Sequence, residues 1–196
     1  MSAYQQALDT QAGPLEIADA IPASVNQFAQ QLVTTRVLAN ALDVRHIPLG
    51  DVDLMSFLET TFESHRSLQG AGAWLVWLSD WIKQFGLLTN AGAVSLRMSH
   101  SRGPTCPRFH MDSVTVRLIA ALEGPGTEWL RNDDVRYLDD GSISQDMPAH
   151  AVQQLSPGSI GLFKGAGFTG SPAQGVVHRS PQTQVDRVVM TLDVAA

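Results

Sequence analysis

The sequence predicts an α+β fold in which a helical layer packs against a small β-barrel or sandwich, on three observations. Apolar residues recur at helical spacing up to about Leu88. After Asn90 they fall in short runs broken by Gly, Pro, Asn and Asp. The length of 196 residues suits one domain. The expected organisation is therefore a single domain, 1–196, helical over 1–90 and β-rich over 91–196.

In the first half, a helix is expected from Val25, with Phe28, Ala29, Leu32, Val33, Val37, Leu38 and Leu42 on one stripe. A second follows Asp51 as its cap, carrying Leu54, Phe57, Leu58 and Phe62. A third spans Gln69 to Phe85 and ends at Gly86. Its Trp74, Trp77 and Trp81 stripe either lines a ligand pocket or is core, and the area each ring buries favours core. In the second half, strands are expected at Ala93–Met98, Val114–Glu123, Glu128–Leu130, Ala151–Gln154, Ser159–Lys164, Gly175–His178 and Arg187–Val194. The glycine-rich Gly165–Gly175 stretch reads as a mobile loop.

Composition narrows the function. With 44% hydrophobic residues and 16% charged, the chain can bury a core. Its net charge of −6 and scattered 13 basic residues give no phosphate-binding surface, which argues against nucleic acid. Cys106 is the only cysteine, so no internal disulfide forms. The first twenty residues lack a basic start and an apolar run. The most apolar stretch, Ala71 to Leu88, is broken by Ser79, Asp80, Lys83 and Gln84, too polar for a membrane span. A soluble, cytoplasmic protein is expected.

The segment that carries chemistry is Cys106-Pro-Arg-Phe-His110-Met-Asp112. Side chains two apart on an extended chain share a face, so His110 and Asp112 can close on one metal ion. His178, on the short run Val176-Val-His178, is the expected third ligand. Two histidines and one carboxylate leave metal positions open for substrate and dioxygen, the facial triad of non-haem iron(II) oxygenases. Chance alone supplies ~0.6 His-x-acid pairs at this composition, so the weight lies in order and context. Arg187, nine residues after His178, has room for a turn and a return toward the site. Its guanidinium fork suits a carboxylate such as the far end of 2-oxoglutarate. The alternative is an exposed arginine paired with Asp186 or Asp193.

The ordered set His110-x-Asp112, His178 and Arg187 resembles that of the iron(II)/2-oxoglutarate oxygenases with a double-stranded β-helix (jelly-roll, cupin-like) fold. Arg117 to Trp129 is similar to the strand and glycine turn after the first metal strand there. Pro157 to Gly165 is similar to the strand leading toward the distal histidine. More narrowly, Cys106 to Asp112, Gly124-Pro-Gly-Thr-Glu-Trp129 and Val177-His-Arg-Ser-Pro181 resemble the bacterial family known as domain of unknown function 1826. The resemblance covers about residues 93 to 194. It implies an Fe(II)/2-oxoglutarate-dependent dioxygenase of the hydroxylase type, acting on a small molecule or peptide. Relatives set beside metal-chaperone GTPases would imply such a GTPase as partner and a role in metal supply.

Two other readings stay open. If Cys106 adds a soft ligand, the site becomes a zinc site of a non-catalytic metal-handling protein. Without metal, the barrel is an interaction scaffold. Around the triad, Phe109 and Met111 alternate to the opposite face and read as core. Trp129 and Phe163 either wall the pocket or fill the barrel, and Lys164 is a candidate second cation. His100 either approaches the site or is structural, and Arg108 either meets substrate or pairs at the surface.

Overall fold

A computed structural model describes residues 8, 12–38, 41–168 and 175–195. In chain order these form β1 (Leu15–Ile17), α1 (Ala23–Thr35), β2 (Leu42–Pro48), α2 (Leu54–Thr61), α3 (Ala71–Thr89), β3 (Ala93–Arg102), β4 (Val116–Glu123), β5 (Glu128–Leu130), β6 (Val152–Gln154), β7 (Ile160–Lys164), β8 (His178–Arg179) and β9 (Asp186–Val194). Every strand pairing is antiparallel. A six-stranded sheet runs β1-β7-β4-β9-β3-β2, and a three-stranded sheet runs β6-β5-β8.

Alternation along the strands of the large sheet decides what each face does. Leu96 and Met98, Leu118 and Ala120, and Met190 and Leu192 are buried against the helices. Residues alternating with them, Ser95, Arg97, Arg117, Thr191 and Asp193, face the other way, into a cavity. Helix α1 packs on β4 and β9, and α3 packs on β9 and β3. The tryptophan stripe is core: Trp74 stacks on Phe28 at 4.5 Å and meets Phe62 edge-on at 4.9 Å. Trp77 and Trp81 are buried beside it, and the Trp77 indole N–H donates to the Ala20 carbonyl at 2.7 Å. The rings supply apolar area away from the site.

The expected strands are present, with ends shifted by a few residues, and β5 keeps both of its boundaries. The expected helical reading of 1–90 needs correcting, because β1 and β2 lie in that stretch and join opposite edges of the large sheet. Helix α1 stops at Thr35, after which Arg36 adopts the left-handed conformation at φ 53°. Leu42, assigned above to the helix stripe, starts β2 instead. The run Leu42-Asp-Val-Arg45 alternates at period two, and a bulge between Val44 and Ile47 then shifts the phase so that Ile47 is the buried residue. The cap of α2 is Asp53 rather than Asp51, its carboxylate accepting from Ser56 N–H at 3.1 Å. Helix α3 runs through Gly86 to a left-handed Asn90. Gly86 serves packing there, because a Cβ would collide with Leu49.

The strand expected over Gly175–His178 forms only at its end. Residues 169–174 of the expected mobile loop lie outside the described residues. Among the described residues, no helix is long and apolar enough to cross a membrane.

Candidate metal centre and its cavity

His110 and His178 come from distant parts of the chain and are locked together by their backbones. His110 N–H donates to the His178 carbonyl at 3.0 Å, and His178 N–H donates back at 2.9 Å. Such a two-bond antiparallel pair sets the two side chains side by side on one face. The ring centroids are 4.6 Å apart. Each ring then turns one nitrogen to its own backbone: His110 Nδ1 lies 2.9 Å from the Arg108 carbonyl, and His178 Nδ1 lies 3.1 Å from the Val176 carbonyl. Carbonyls only accept, so both Nδ1 atoms carry the proton and both Nε2 atoms present a lone pair.

Asp112 faces those lone pairs. Its Oδ1 lies 2.8 Å from Arg117 Nη1 and 3.7 Å from His110 Nε2, and its Oδ2 lies 3.3 Å from His178 Nε2. Among the described residues, Oδ2 is buried without a hydrogen-bond partner. His110 and His178 Nε2 and an Asp112 carboxylate oxygen all lie within 4.8 Å of one another. A buried carboxylate oxygen against two imidazole lone pairs is unfavourable by itself, and a shared cation removes the conflict. The residues therefore fit a divalent metal ion. Burial pushes the Asp112 carboxyl up, but His178, Arg117 and His110 outweigh it and hold it below the usual value, the two imidazoles acting so when they also carry a proton at Nε2 in place of a shared metal ion.

The surrounding residues fix this arrangement. Arg117 also binds Asp193 bidentately, Nε to Oδ1 and Nη2 to Oδ2, both at 2.8 Å. Gln145 clamps the backbone beside His110: its Oε1 accepts from Phe109 N–H at 2.7 Å, and its Nε2 donates to the Phe109 carbonyl at 3.0 Å. Phe163 is buried, its ring 5.0 Å from that of His178, so it walls the site. Trp129 is half-buried and packs with Phe163 in a small apolar cluster.

A cavity of about 560 Å³ opens from His110 and His178 across the inner face of the large sheet. Arg187 lines it while being only 6% exposed. Its Nε donates to the Pro125 carbonyl and its Nη2 to Thr127 Oγ1, both at 2.8 Å. The Gly124-Pro-Gly turn brings these acceptors in, with Gly124 at φ 82° against the backbone of Asp186. The two aspartates that would have paired Arg187 at the surface are taken: Asp186 binds His100 at 2.8 Å, and Asp193 binds Arg117. Burial pushes the Arg187 guanidinium down to about 10, with Cys106 and Glu128 opposing, so it remains a cation near neutral pH.

The structure thus brings His110, Asp112 and His178 together and puts Arg187 in the same cavity. It leaves Cys106 out of the triad cluster. That residue is exposed and lines the cavity near Arg187, its backbone N–H donating to Ser180 Oγ at 3.2 Å. His100 is held by Asp186, Arg108 is exposed, and Lys164 is buried with its ammonium 5.8 Å from the Phe168 ring centroid. Phe109 is core, with Met111 packed against it. Sequence reasoning missed Arg117, Asp193 and Gln145. The available signal was a lone arginine inside the apolar run Val116 to Leu122.

These features define a class. The fold is the double-stranded β-helix of the 2-oxoglutarate oxygenases, carrying a His-Asp-His group in its cavity. A rice dioxygenase for auxin oxidation has a TM-score of 0.56 at 13% identity, over 98% of this chain and 77% of that one. Dioxygenase for auxin oxidation 1 of Arabidopsis thaliana, as its 2-oxoglutarate complex, has a TM-score of 0.55 at 11% identity, over 98% and 87%. A prolyl-4-hydroxylase of Pseudomonas putida has a TM-score of 0.50 at 16% identity, over 98% and 92%. No curated protein matches the sequence. The chain itself belongs to the family described as proteins of unknown function, DUF1826, whose model matches residues 5–193.

Proposed function

We propose that this protein is an iron(II)- and 2-oxoglutarate-dependent dioxygenase that oxidises a small-molecule substrate. The observation that carries the reading is Asp112 Oδ2, without a hydrogen bond among the described residues, against His178 Nε2 with His110 Nε2 beside it, the two histidines lining the same cavity as a buried arginine that forms no salt bridge among the described residues. His110 and His178 would hold the metal through Nε2, and Asp112 through Oδ2. Bound iron(II) with 2-oxoglutarate supplies the activation of dioxygen for C–H oxidation.

The chain's own residues do the rest. The carbonyls of Arg108 and Val176 keep the imidazoles in the ligating tautomer. Arg117 occupies Asp112 Oδ1 and so leaves the other oxygen for the metal. Arg187 receives the distal carboxylate of 2-oxoglutarate, with the Thr127 hydroxyl already against it. Phe163 shields His178 from water. The non-catalytic zinc reading is weaker, because Cys106 stands apart from the triad cluster and offers no fourth ligand there.

Anaerobic addition of iron(II) and then 2-oxoglutarate to the purified protein tests this. A visible charge-transfer band that needs both additions, and is lost in His110→Ala, is expected. Tight zinc binding without a response to 2-oxoglutarate would overturn the reading in favour of metal handling.

A further inference from the structure

Charged side chains lining the cavity sort themselves by partner. Arg117 is held by Asp112 and Asp193, Arg179 by Glu128 at 2.7 Å, and His100 by Asp186. Asp43 is turned to Arg45 at 3.5 Å. Among the described residues, two cavity cations are left without a carboxylate. One is the buried Arg187. The other is Arg97, in the middle of β3.

Arg97 is an inward residue of the large sheet rather than part of its helix-covered face, because its neighbours Leu96 and Met98 are the ones buried there. It is exposed and sits opposite Thr191 on β9 and Asp43 on β2. Thr191 is four residues from Arg187 on β9, about 14 Å along the strand. Arg97 also stands two strands from Arg117, about 10 Å across the sheet. The triad, the buried arginine and the open arginine therefore occupy separate parts of one cavity. With Asp43 on its β2 side, the surface around Arg97 otherwise carries Ser95, Ser99 and Thr191, small hydroxyl side chains that leave room for a ligand and accept or donate to it. A cavity of about 560 Å³ suits small molecules.

We infer that Arg97 is the specificity residue for the oxidised substrate, and that this substrate is a small molecule carrying a carboxylate or phosphate group. The inference rests on the oxygenase reading, with Arg187 taken by 2-oxoglutarate. A guanidinium on an open floor of hydroxyls binds either oxyanion through paired N–H donors. Arg117 cannot take this part, since its guanidinium is already committed to two aspartates.

Calorimetric titration of the full chain loaded with manganese(II) tests the assignment. 2-Oxoglutarate is added first, then phenyl phosphate, benzoate or phenol in separate runs. The expected result is that 2-oxoglutarate binds wild type and Arg97→Gln within about twofold of each other. Phenyl phosphate or benzoate then binds the wild type, binds Arg97→Gln at least about tenfold more weakly, and recovers in Arg97→Lys. Phenol binds neither measurably. Which anion binds more tightly separates a phosphate-bearing from a carboxylate-bearing substrate. Equal binding of the anions to wild type and Arg97→Gln, their failure to bind at all, or their displacement of 2-oxoglutarate would overturn the inference while leaving the oxygenase reading intact. Failure of 2-oxoglutarate itself to bind the manganese protein would overturn both.

Discussion

Arg117 reaches across from β4 to place Nη1 2.8 Å from Asp112 Oδ1, while its other edge grips Asp193 on β9. Two partly buried carboxylates share this cation, whose guanidinium is held fully charged: burial works against it, and Asp193 and Asp112 prevail. Replacing it by methionine leaves both carboxylates without their partner. Breaking a fully buried pair from one side costs about 3–5 kcal/mol, and partial exposure of all three groups reduces this, so Arg117→Met is expected to lower the free energy of unfolding by about 1–3 kcal/mol in denaturant titration. It also frees Asp112 to rotate, and metal affinity is expected to fall by about 10–100-fold in calorimetry.

Gln145 is predicted to act on the same site through the backbone. Its amide satisfies both polar groups of Phe109, the residue before His110. Gln145→Leu leaves a half-buried N–H and carbonyl unpaired, at a cost of about 1–3 kcal/mol. Since no ligand atom is removed, metal still binds, more weakly. Metal affinity equal to that of the wild type would show that Gln145 is structural only.

Arg187→Met separates co-substrate from metal. The lost interactions are hydrogen bonds from the guanidinium to two uncharged acceptors, Pro125 O and Thr127 Oγ1, and the desolvation cost of a buried cation is lost with them. Stability is therefore expected to stay within about 1 kcal/mol of the wild type. Metal uptake is retained, whereas 2-oxoglutarate affinity drops at least about a hundredfold, the effect of two charge-assisted hydrogen bonds.

His65 gives a pH signature independent of the site. It is 8% exposed, lies edge-on to Phe62 at 6.2 Å, and has Ser64 Oγ 3.0 Å from its Nδ1. Burial lowers its pKa from the ordinary imidazole value of 6.5. The unfolded chain therefore binds the proton first as pH falls. Its contribution to stability is whole above pH 6.5 and is lost as pH drops through the lower folded value. Urea unfolding at pH 7.5 and 5.5 should show a smaller loss for His65→Gln than for the wild type.

How much of this was legible in the sequence differs by scale. His110, Asp112, His178 and Arg187 could be named because chain order and strand periodicity carry them. The β strands of the second half were legible because Gly and Pro punctuate them. β2 is hidden in the sequence because α1's apolar spacing happens to continue into Leu42, and the alternation that would reveal the strand lasts only from Leu42 to Arg45 before a bulge breaks it. Arg117 and Asp193 could not be paired, since strand register across β4 and β9 is a long-range property that no local pattern encodes. Gln145 was invisible for the same reason, being 36 residues from the backbone it clamps.

The most direct test of the central claim is release of succinate from 2-oxoglutarate under air, with iron(II) supplied and no added substrate, for the wild type, His178→Ala and Arg187→Met. Slow iron-dependent release by the wild type, absent from both variants, is the predicted result. No release by the wild type, or equal release by all three, would contradict it.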